Sequence, residues 1–236
     1  MKYSIVIPVH NEEKNLPILV NELRGVITKL DGESEVIFID DGSDDNSFNI
    51  LTELKKKFEW IKIIKLKKRS GQTAAFDAGF RQVQGEVVIT MDADLQNNPD
   101  DIFKLLKYYP LIDVISGKRV NRKDTLTKKI SSRIANYIRN KITNEHIVDT
   151  GCSLKLFKAE YVKRLKLFDG LHRFLPTLCK MEGAKVIEVP VSHRPRKYGK
   201  THYGVLNRAF KALIDAFAVR WMKKRFLNYE IEKVIK

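Results

Sequence analysis

The chain has 236 residues, 43% of them hydrophobic, which is enough for one substantial core. The chain has 44 Lys and Arg against 29 Asp and Glu, so its net charge is +15. This charge favours a polyanionic partner, which could be nucleic acid, an anionic membrane surface or a phosphate-bearing substrate. The alternative is that the excess only reflects a lysine-rich composition. The absence of a signal peptide, of a disulfide framework and of any window with roughly 18 apolar residues favours a cytoplasmic location without a membrane-spanning helix.

The first 110 residues alternate between β-branched apolar runs and helical patterns. Strands are predicted over residues 3–9, 35–40, 61–66 and 86–91, the first and last being almost continuously apolar. Strand–helix alternation of this kind predicts an α/β fold with a mostly parallel sheet and helices on both faces.

Four helices are predicted between and after these strands. In the first, the apolar residues fall on one face: Leu16, Leu19, Val20, Leu23, Ile27 and Leu30. The second follows "DDGSDD", with Ser43 or Asp44 as its N-cap. The third covers "GQTAAFDAGFRQV", and the fourth covers "PDDIFKLLKYY" with Pro99 in its first turn.

The pattern changes after about Val120. Residues 124–143 are typical of a basic helix, and residues 153–158 and 184–193 are candidate strands. Residues 205–227 predict a last helix with apolar residues along one side: Leu206, Phe210, Leu213, Ile214, Phe217 and Trp221. We therefore expect a catalytic domain over 1–200 and a basic amphipathic helical tail over 201–236. The tail either lies in a membrane interface or packs on the sheet, and the pattern fits both.

Polar residues follow three of the predicted strands. The first runs into "PVHNEE", the second into "DDGSDD" and the fourth into "DADLQNNP". In open parallel sheets, ligands bind beyond the carboxyl ends of the strands, so this edge is the expected site. Asp92 and Asp94 would point to the same side of an extended strand and, with an oxygen from Gln96, suit Mg²⁺ or Mn²⁺ carrying a diphosphate. The alternative is a solvated turn that caps the helix at Pro99.

Two other nucleotide-binding motifs are absent. No G-x-G-x-x-G follows the first strand, which argues against a dinucleotide cofactor. "GKT" at 199–201 resembles the end of a P-loop, but Arg194 stands where that motif requires glycine.

Four ordered motifs, "IVIPVHNEEKNL", "VIFIDDGSDDNS", "GQTAAFDAGF" and "VITMDADLQNNP", resemble the family 2 inverting glycosyltransferases, which have the GT-A fold. "DTGCSLKLFK", "LHRFLP" and "VPVSHRPRKYGKTHYG" are similar to the bacterial branch of the dolichol- or polyprenyl-phosphate sugar synthases. The resemblance covers about residues 3 to 225. It implies a GDP- or UDP-sugar donor, Mg²⁺ or Mn²⁺, a polyprenyl phosphate acceptor, and a peripheral position on the cytoplasmic face of a membrane, with a membrane-spanning protein as a possible partner.

The same resemblance assigns roles to individual residues. It implies a nucleoside pocket lined by Pro8, His10, Glu12, Asp40 and the adjacent Asp41. Asp92 would contact the donor, and Asp94 and Gln96 would hold the metal. Arg119 and Arg133 would bind the acceptor phosphate. Gln72 is a weaker candidate for the diphosphate, together with a basic set: Arg194, Arg196, Lys200 and His202.

Three features depart from the family pattern. His10 stands where the family usually has Tyr or another residue, and His202 replaces a lysine expected near the phosphates. Many relatives carry C-terminal transmembrane helices, and this sequence ends without one.

The chemistry expected of such an enzyme explains the composition of the site. A prenyl phosphate has its second pKa at about 6 and is largely ionised near neutrality, so it needs no general base. The phosphate oxygen must instead be held in line with the anomeric carbon of the donor, a task that suits arginine. The charge of the leaving diphosphate must be neutralised, a task that suits a metal ion. Asp149 in "DTG" is either a base, a sugar-positioning carboxylate or part of a structural turn.

Two other functions compete with transfer of a mannose- or glucose-like hexose to a polyprenyl phosphate. A family 2 enzyme acting on a glycan hydroxyl would require a carboxylate base, for which Asp149 is the candidate. The remote alternative is a basic nucleic-acid-binding protein. Two features argue against it: the basic stretches contain few aromatic residues, and the strand ends are acidic.

Overall fold

The computed structural model describes residues 1–120, 136–198, 205–227 and 232–233. In this part of the chain, seven strands form a single sheet: β1 (Tyr3–Val9), β2 (Ser34–Asp40), β3 (Ile61–Lys65), β4 (Val87–Thr90), β5 (Val114–Arg119), β6 (Lys155–Lys158) and β7 (Val186–Val191). Their order across the sheet is β3-β2-β1-β4-β6-β5-β7. The α/β architecture expected from the alternating pattern is confirmed.

The N-terminal half of the sheet is parallel. β1 lies between β2 and β4 and pairs in parallel with both, and β2 pairs in parallel with β3. The chain order therefore reverses between β1 and β4. In open sheets such a reversal opens a crevice at the carboxyl ends of the two strands, which is where ligands bind.

β6 introduces the antiparallel part of the sheet. It lies between β4 and β5 and runs antiparallel to both, and β7 pairs in parallel with β5. Because of this direction, β6 starts beside the end of β4, with Lys155 opposite Thr90. Residues just before β6 are thereby brought to the edge that the sequence marked as the site.

Helices cover both faces of the sheet. They are α1 (Leu16–Ile27), α2 (Ser47–Lys57), α3 (Gln72–Phe80), α4 (Ile102–Leu106), α5 (described over 136–143), α6 (Ala159–Arg164), α7 (Leu175–Met181) and α8 (Val205–Arg225). Neighbouring residues of β1 enter different cores, as the two-residue period of a strand requires. Ile5 and Ile7 pack with the apolar face of α1, whereas Val6 packs in the core that contains Phe76 and Phe174.

Several element boundaries differ from the sequence-based expectation. The N-cap position of α2 is Asn46, because the Ser43 hydroxyl instead accepts from the N–H of Asn11 (3.1 Å) and joins two loops. The fourth helix is a 3₁₀ turn over Pro99–Asp101 followed by the short α4. β5, α6 and α7 were not predicted from periodicity; the two helices have only 6 and 7 residues, which is less than two full turns of the apolar pattern.

The last helix packs one side on the body of the protein. Ala216 and Val219 are fully buried in the same core as Phe174, and Lys223 forms an ion pair with Glu145 (2.8 Å). The opposite side is exposed. Packing on the protein body thus describes one side of this helix, and the exposed side is the one that could lie in a membrane interface. No helix in the described ranges is both long and apolar enough to cross a bilayer.

Some sequence-based predictions concern residues that the structure does not describe. The basic helix expected over 124–143 is described only over 136–143, where it is helical. Arg133, Lys200 and His202 lie outside the described residues. The division at residue 200 between a catalytic domain and a tail stays a prediction.

Candidate active site

The loops after β1 and β2 are joined by hydrogen bonds at the carboxyl edge of the sheet. The N–H of Glu12 donates to the Ser47 hydroxyl (2.8 Å), and the N–H of Glu13 donates to Asp45 Oδ2 (3.1 Å). Some polar residues of "HNEE" and "DDGSDD" therefore serve to connect the two loops. The remaining polar side chains, which make no contact between the loops, are the candidates for ligand binding.

Asp40 and Asp41 end β2 in different environments. Both Asp41 oxygens accept from backbone N–H groups that precede α3, those of Ser70 (2.5 Å) and Gly71 (2.8 Å). Asp40 is completely buried, and its Oδ1 accepts from the N–H of Ser43 (3.2 Å). Its Oδ2 has no hydrogen-bond partner among the described residues. A buried carboxylate oxygen of this kind is costly unless a ligand satisfies it, and the N–H groups of a nucleobase are suitable donors.

His10 lies beside this pair. Its Nδ1 is 3.0 Å from the carbonyl oxygen of Asp41. Since a carbonyl can only accept, Nδ1 carries the proton in this contact, and the ring is held in a fixed orientation. Pro8 occupies the same edge of β1, opposite Ile39 of β2. A role for these two residues as one wall of a nucleoside pocket stays a prediction.

Glu12 is electrostatically linked to the aspartates after β4. The pKa of its carboxyl is raised to about 7, chiefly by burial and also by the charges of Asp94 and Asp92, while a hydrogen bond from Asn15 and the charge of Arg196 act to lower it. Residues 80 positions apart in the chain thus share one acidic region. We call Glu12, Asp40, Asp41, Asp92 and Asp94 the acidic edge.

Asp92 and Asp94 lie beyond the end of β4, so the alternation of a strand is not what places them. β4 ends at Thr90, and Leu95 adopts a positive φ of 63°, which turns the chain immediately after Asp94. Asp92 Oδ1 accepts from the Gln72 amide (2.8 Å), so Gln72, at the start of α3, lies beside Asp92. Burial and then the charge of Asp94 raise the pKa of Asp92 to about 6, as two close carboxylates do.

Asp94 is engaged through both oxygens. Its Oδ1 accepts from the N–H of Gln96 (3.1 Å) and its Oδ2 from the Arg196 guanidinium (2.7 Å). The Gln96 side chain itself points to the carbonyl of Arg194, with its Nε2 3.5 Å from that oxygen. The structure therefore brings Arg196, a residue 102 positions away, onto the candidate metal ligand.

The chemistry of this edge fits a divalent cation shared with a diphosphate. The described residues contain no cluster of three or more His, Cys, Asp or Glu side chains arranged as a complete metal cage. Mg²⁺ and Mn²⁺ commonly use one or two carboxylates and take their other ligands from water and substrate phosphates. Two mutually repelling carboxylates, one of which already holds a cationic guanidinium, are such a partial donor set.

Arg119 and Asp149 form a buried ion pair, and Arg119 is near enough to Asp92 to interact with its charge. The guanidinium donates to both Asp149 oxygens (2.8 Å each), and the Arg119 N–H adds a third bond to Oδ2 (3.0 Å). Burial acts to lower the pKa of Arg119, but the bonds to Asp149 raise it above its usual value. Glu188 holds the turn by accepting from the N–H groups of Val148 and Asp149 (2.8 Å each). Asp149 is therefore placed to orient Arg119, and the geometry does not favour it as a free base.

A pocket at this edge contains residues to which sequence reasoning gave no role. Lys155, His172 and Arg173 line it together with Asp92 and Gln72. Lys155 is 3% exposed, burial lowers its pKa, and its ammonium donates to the carbonyl of Cys152. The signal was present in "GCSLKLFK" and "LHRFLP", but only the antiparallel direction of β6 shows that Lys155 reaches the end of β4. We call Arg119, Lys155 and Arg173 the basic wall.

Arg194 lies at the opposite end of the acidic edge. Its guanidinium bonds both oxygens of Glu22 (2.8 and 2.9 Å) and Asn98 Oδ1 (2.7 Å). These contacts hold the chain after β7 against the loop that contains Asp94. A role for Arg194 in binding the donor phosphates stays a prediction.

Residues 4–166 match the model of the family described as "Glycosyl transferase family 2". The chain belongs to this family. The predicted family and enzyme class are thereby confirmed, and the match includes all five residues of the acidic edge and two of the three residues of the basic wall.

Curated relatives extend the similarity beyond that range. The dodecaprenyl-phosphate galacturonate synthase of Rhizobium johnstonii is 34% identical over 236 residues, which cover 98% of this chain and 68% of the relative. The undecaprenyl-phosphate 4-deoxy-4-formamido-L-arabinose transferase of Photorhabdus laumondii is 37% identical over 87% of this chain and 64% of its own length. The chain thus spans about two thirds of the length of these relatives.

Solved structures support the fold. A mannosyltransferase from Pyrobaculum calidifontis, determined with GDP-mannose and Mn²⁺, has a TM-score of 0.65 at 20% identity and covers 92% of this chain and 63% of its own. Glucosyl-3-phosphoglycerate synthase from Mycobacterium tuberculosis, determined with Mn²⁺ and UDP, reaches 0.70 at 15% identity over 93% of this chain and 79% of its own. The GT-A fold expected from the sequence motifs is confirmed.

Proposed function

We propose that this protein transfers a sugar, with inversion, from a nucleoside diphosphate to the phosphate of a polyprenyl lipid. The observation that carries the proposal is that acidic and basic side chains meet at one pocket. Asp92, Lys155 and Arg173 all line it, and Arg119 is near enough for its charge to act on Asp92. A donor that brings its own cation suits the acidic edge, and an anionic acceptor suits the basic wall. The named activities of the two curated relatives, both on polyprenyl phosphates, support the same reaction.

The acidic edge would bind the donor, a GDP- or UDP-sugar. The free Asp40 oxygen would accept an N–H of the base, which both guanine and uracil provide, while His10, Pro8 and Glu12 would line the nucleoside. Asp94 and Asp92, with Gln96 nearby, would hold Mg²⁺ or Mn²⁺. When bound, this cation would neutralise the charge that develops on the leaving diphosphate.

The basic wall would orient the acceptor. A lipid phosphate that is already ionised attacks the anomeric carbon without losing a proton to the protein, so no general base is required. The fixed fork of Arg119 would hold the phosphate, and Asp149 would keep that fork in place through its two bonds. Arg133 would add a second arginine to this side.

The donor sugar is a mannose- or glucose-like hexose in this proposal. The two curated relatives are named for galacturonate and for 4-deoxy-4-formamido-L-arabinose, so a test of sugar specificity must include an acidic and an amidated sugar. Lys155 and Arg173 beside the sugar position would tolerate a carboxylate there.

The exposed side of α8 supports a peripheral position on an anionic membrane surface, at its cytoplasmic face. Leu213, Ile214, Phe217 and Trp221 are 37%, 53%, 54% and 64% exposed on that side. Basic residues border them, and Asp215 is the one acidic residue between 211 and 227. A basic helix with exposed aromatics binds a membrane interface through both apolar burial and attraction to anionic lipids.

The proposal is tested by labelling. The purified chain is incubated with Mn²⁺, radiolabelled GDP- and UDP-sugars, and a short polyprenyl phosphate in detergent, and label is measured in the extracted lipid. The matched control is the corresponding polyprenol, which lacks only the phosphate. We expect label in the phosphate and none in the polyprenol. Label appearing only on a sugar hydroxyl would replace the proposal by the hydroxyl-acceptor alternative, and oligonucleotide binding without donor binding would replace it by the nucleic-acid alternative.

A further inference from the structure

The segment after β7 lies across the loop that contains Asp94. Ser192 begins it, donating to Asp101 Oδ2 through its N–H (2.6 Å) and its hydroxyl (2.5 Å). The N–H of Arg194 then donates to the Gln96 carbonyl (2.9 Å), and its guanidinium is bonded to Glu22 and Asn98. Residues 192–194 are therefore fastened at several points, and they deliver the next arginine to the acidic edge.

Arg196 is bonded to Asp94 at the place where a cation would bind. Its Nη2 is 2.7 Å from Asp94 Oδ2, and the other oxygen of Asp94 accepts from the N–H of Gln96. The Asp94 side chain is 8% exposed and that of Arg196 is 30% exposed. The carboxylate is thus enclosed, whereas its arginine partner is the more exposed of the two.

We infer that Arg196 exchanges partners, bonding Asp94 in the ligand-free protein and the donor diphosphate in the loaded one, so that cation and diphosphate must bind together. The inference rests on the proposed function and deepens it by assigning a coupling role to a residue after β7. Two cations on one carboxylate repel each other, so the guanidinium and a divalent ion compete for Asp94. A diphosphate offers the guanidinium a new bidentate partner and releases Asp94 to the ion.

The charges around Asp94 favour such an exchange over a permanent ion pair. Glu12, Asp92 and Asp94 form a local excess of negative charge, and Arg196 is a cation that this cluster attracts directly. Without a ligand, the pair stabilises the cluster. Once a divalent ion takes over that neutralisation, the guanidinium becomes available to the phosphates.

The test measures Mn²⁺ affinity of the free protein by electron paramagnetic resonance, with no nucleotide present. Arg196→Gln removes the competitor, and we expect it to tighten Mn²⁺ binding by about tenfold, within the usual range of coupling between sites. Arg196→Lys keeps the charge and should have a smaller effect. The matched control is Arg81→Gln, which removes the same charge from an exposed pair with Asp77 at the far end of α3. Unchanged or weaker Mn²⁺ binding in folded Arg196→Gln, or in Arg196→Ala if the first variant does not fold, would overturn the inference.

A second arm repeats the titration with UDP or GDP present. In the wild type, nucleotide should tighten Mn²⁺ binding strongly, and in Arg196→Gln this gain should fall by about tenfold because the exchange no longer occurs. An undiminished gain would also overturn the inference. Asp94→Asn, introduced into both the wild type and Arg196→Gln, distinguishes failure of this inference from failure of the proposed function. If that change leaves Mn²⁺ binding intact, the metal assignment itself is wrong, whatever Arg196 does.

Discussion

The acidic edge and the basic wall are built in different ways. In the acidic edge, the carboxylates follow strand ends within contiguous motifs, and they are held both by backbone N–H groups, as at Asp41, and by side chains, as at Asp94. In the basic wall, the cations come from β5, β6 and the turn before α7, where Asp149 holds Arg119 and a backbone carbonyl holds Lys155. The first region is therefore specified by local motifs, whereas the second is assembled from distant segments by the pairing of the sheet. Substitutions in the two regions should affect different steps, the binding of the donor with its cation in the first and the binding of the acceptor in the second.

The largest effect is expected in the acidic edge. Asp94→Asn removes the charge that would hold the cation and should reduce sugar transfer by about 10³-fold, because metal neutralisation of a leaving group contributes several kcal/mol. Label transfer at saturating donor measures it. Asp100→Asn, in the same loop but exposed, is the matched control and should leave transfer within about twofold of the wild type. Transfer that survives Asp94→Asn would show that this edge does not bind the catalytic cation.

The next effect tests the basic wall. Arg119→Lys keeps the charge but loses the fork that bonds both Asp149 oxygens, so kcat/KM for the lipid phosphate should fall by about 10²-fold. Asp149→Asn should cause a similar loss, and the double variant should be far from additive, since the two residues act as one unit. Nucleotide affinity, measured by calorimetry, should change little. Additive losses would mean that Asp149 acts independently of Arg119, for example as a base.

A smaller effect is expected at the exposed side of α8. Phe217→Ser and Trp221→Ser together should weaken binding to vesicles of mixed neutral and anionic lipid by about tenfold or more, since each loses apolar contact with the interface. Co-sedimentation measures the loss, and addition of salt should weaken the wild type further. Leu111→Ser is the control, because Leu111 is 81% exposed and lies outside α8. An equal loss in the control would remove the specific role of this helix.

The smallest effect is a pH dependence of stability. The pKa of Glu12 is about 7 in the folded protein against 4.5 when unperturbed, so the folded state binds more protons between these values and loses stability as pH rises through the window. Glu12→Gln should therefore match the wild type below pH 4.5 and exceed it above pH 7. Because Glu12 is partly exposed, we expect a difference of about 1 to 2 kcal/mol, measured by urea unfolding at both ends of the window. A difference that grows toward low pH would contradict the assignment.

Sequence reasoning located the acidic edge but missed two of the three residues of the basic wall, for physical reasons. Asp40, Asp41, Asp92 and Asp94 follow apolar runs that are buried strands, and parallel strand ends meet at one edge. Lys155 and Arg173 do not follow a predicted parallel strand. Lys155 is positioned by an antiparallel strand that only long-range pairing defines, and Arg173 lies in the 3₁₀ turn Leu171–Arg173 before α7.

Two details of the edge were also beyond the sequence. Asp92 and Asp94 were expected on a strand, but β4 ends at Thr90 and a turn with Leu95 at positive φ places them instead. The contact between Arg196 and Asp94 spans 102 positions and has no local pattern. Likewise, the side of the last helix that packs inward, with Ala216 and Val219, differs from the predicted apolar side, where Phe217 and Trp221 are exposed.

The most direct test of the acidic edge is a crystal structure with Mn²⁺ and UDP or GDP, using the anomalous signal of manganese. The account predicts a manganese peak between the Asp94 carboxylate and the diphosphate, with the base beside Asp40 and His10. A nucleotide bound elsewhere, or a manganese peak away from Asp94, would contradict it.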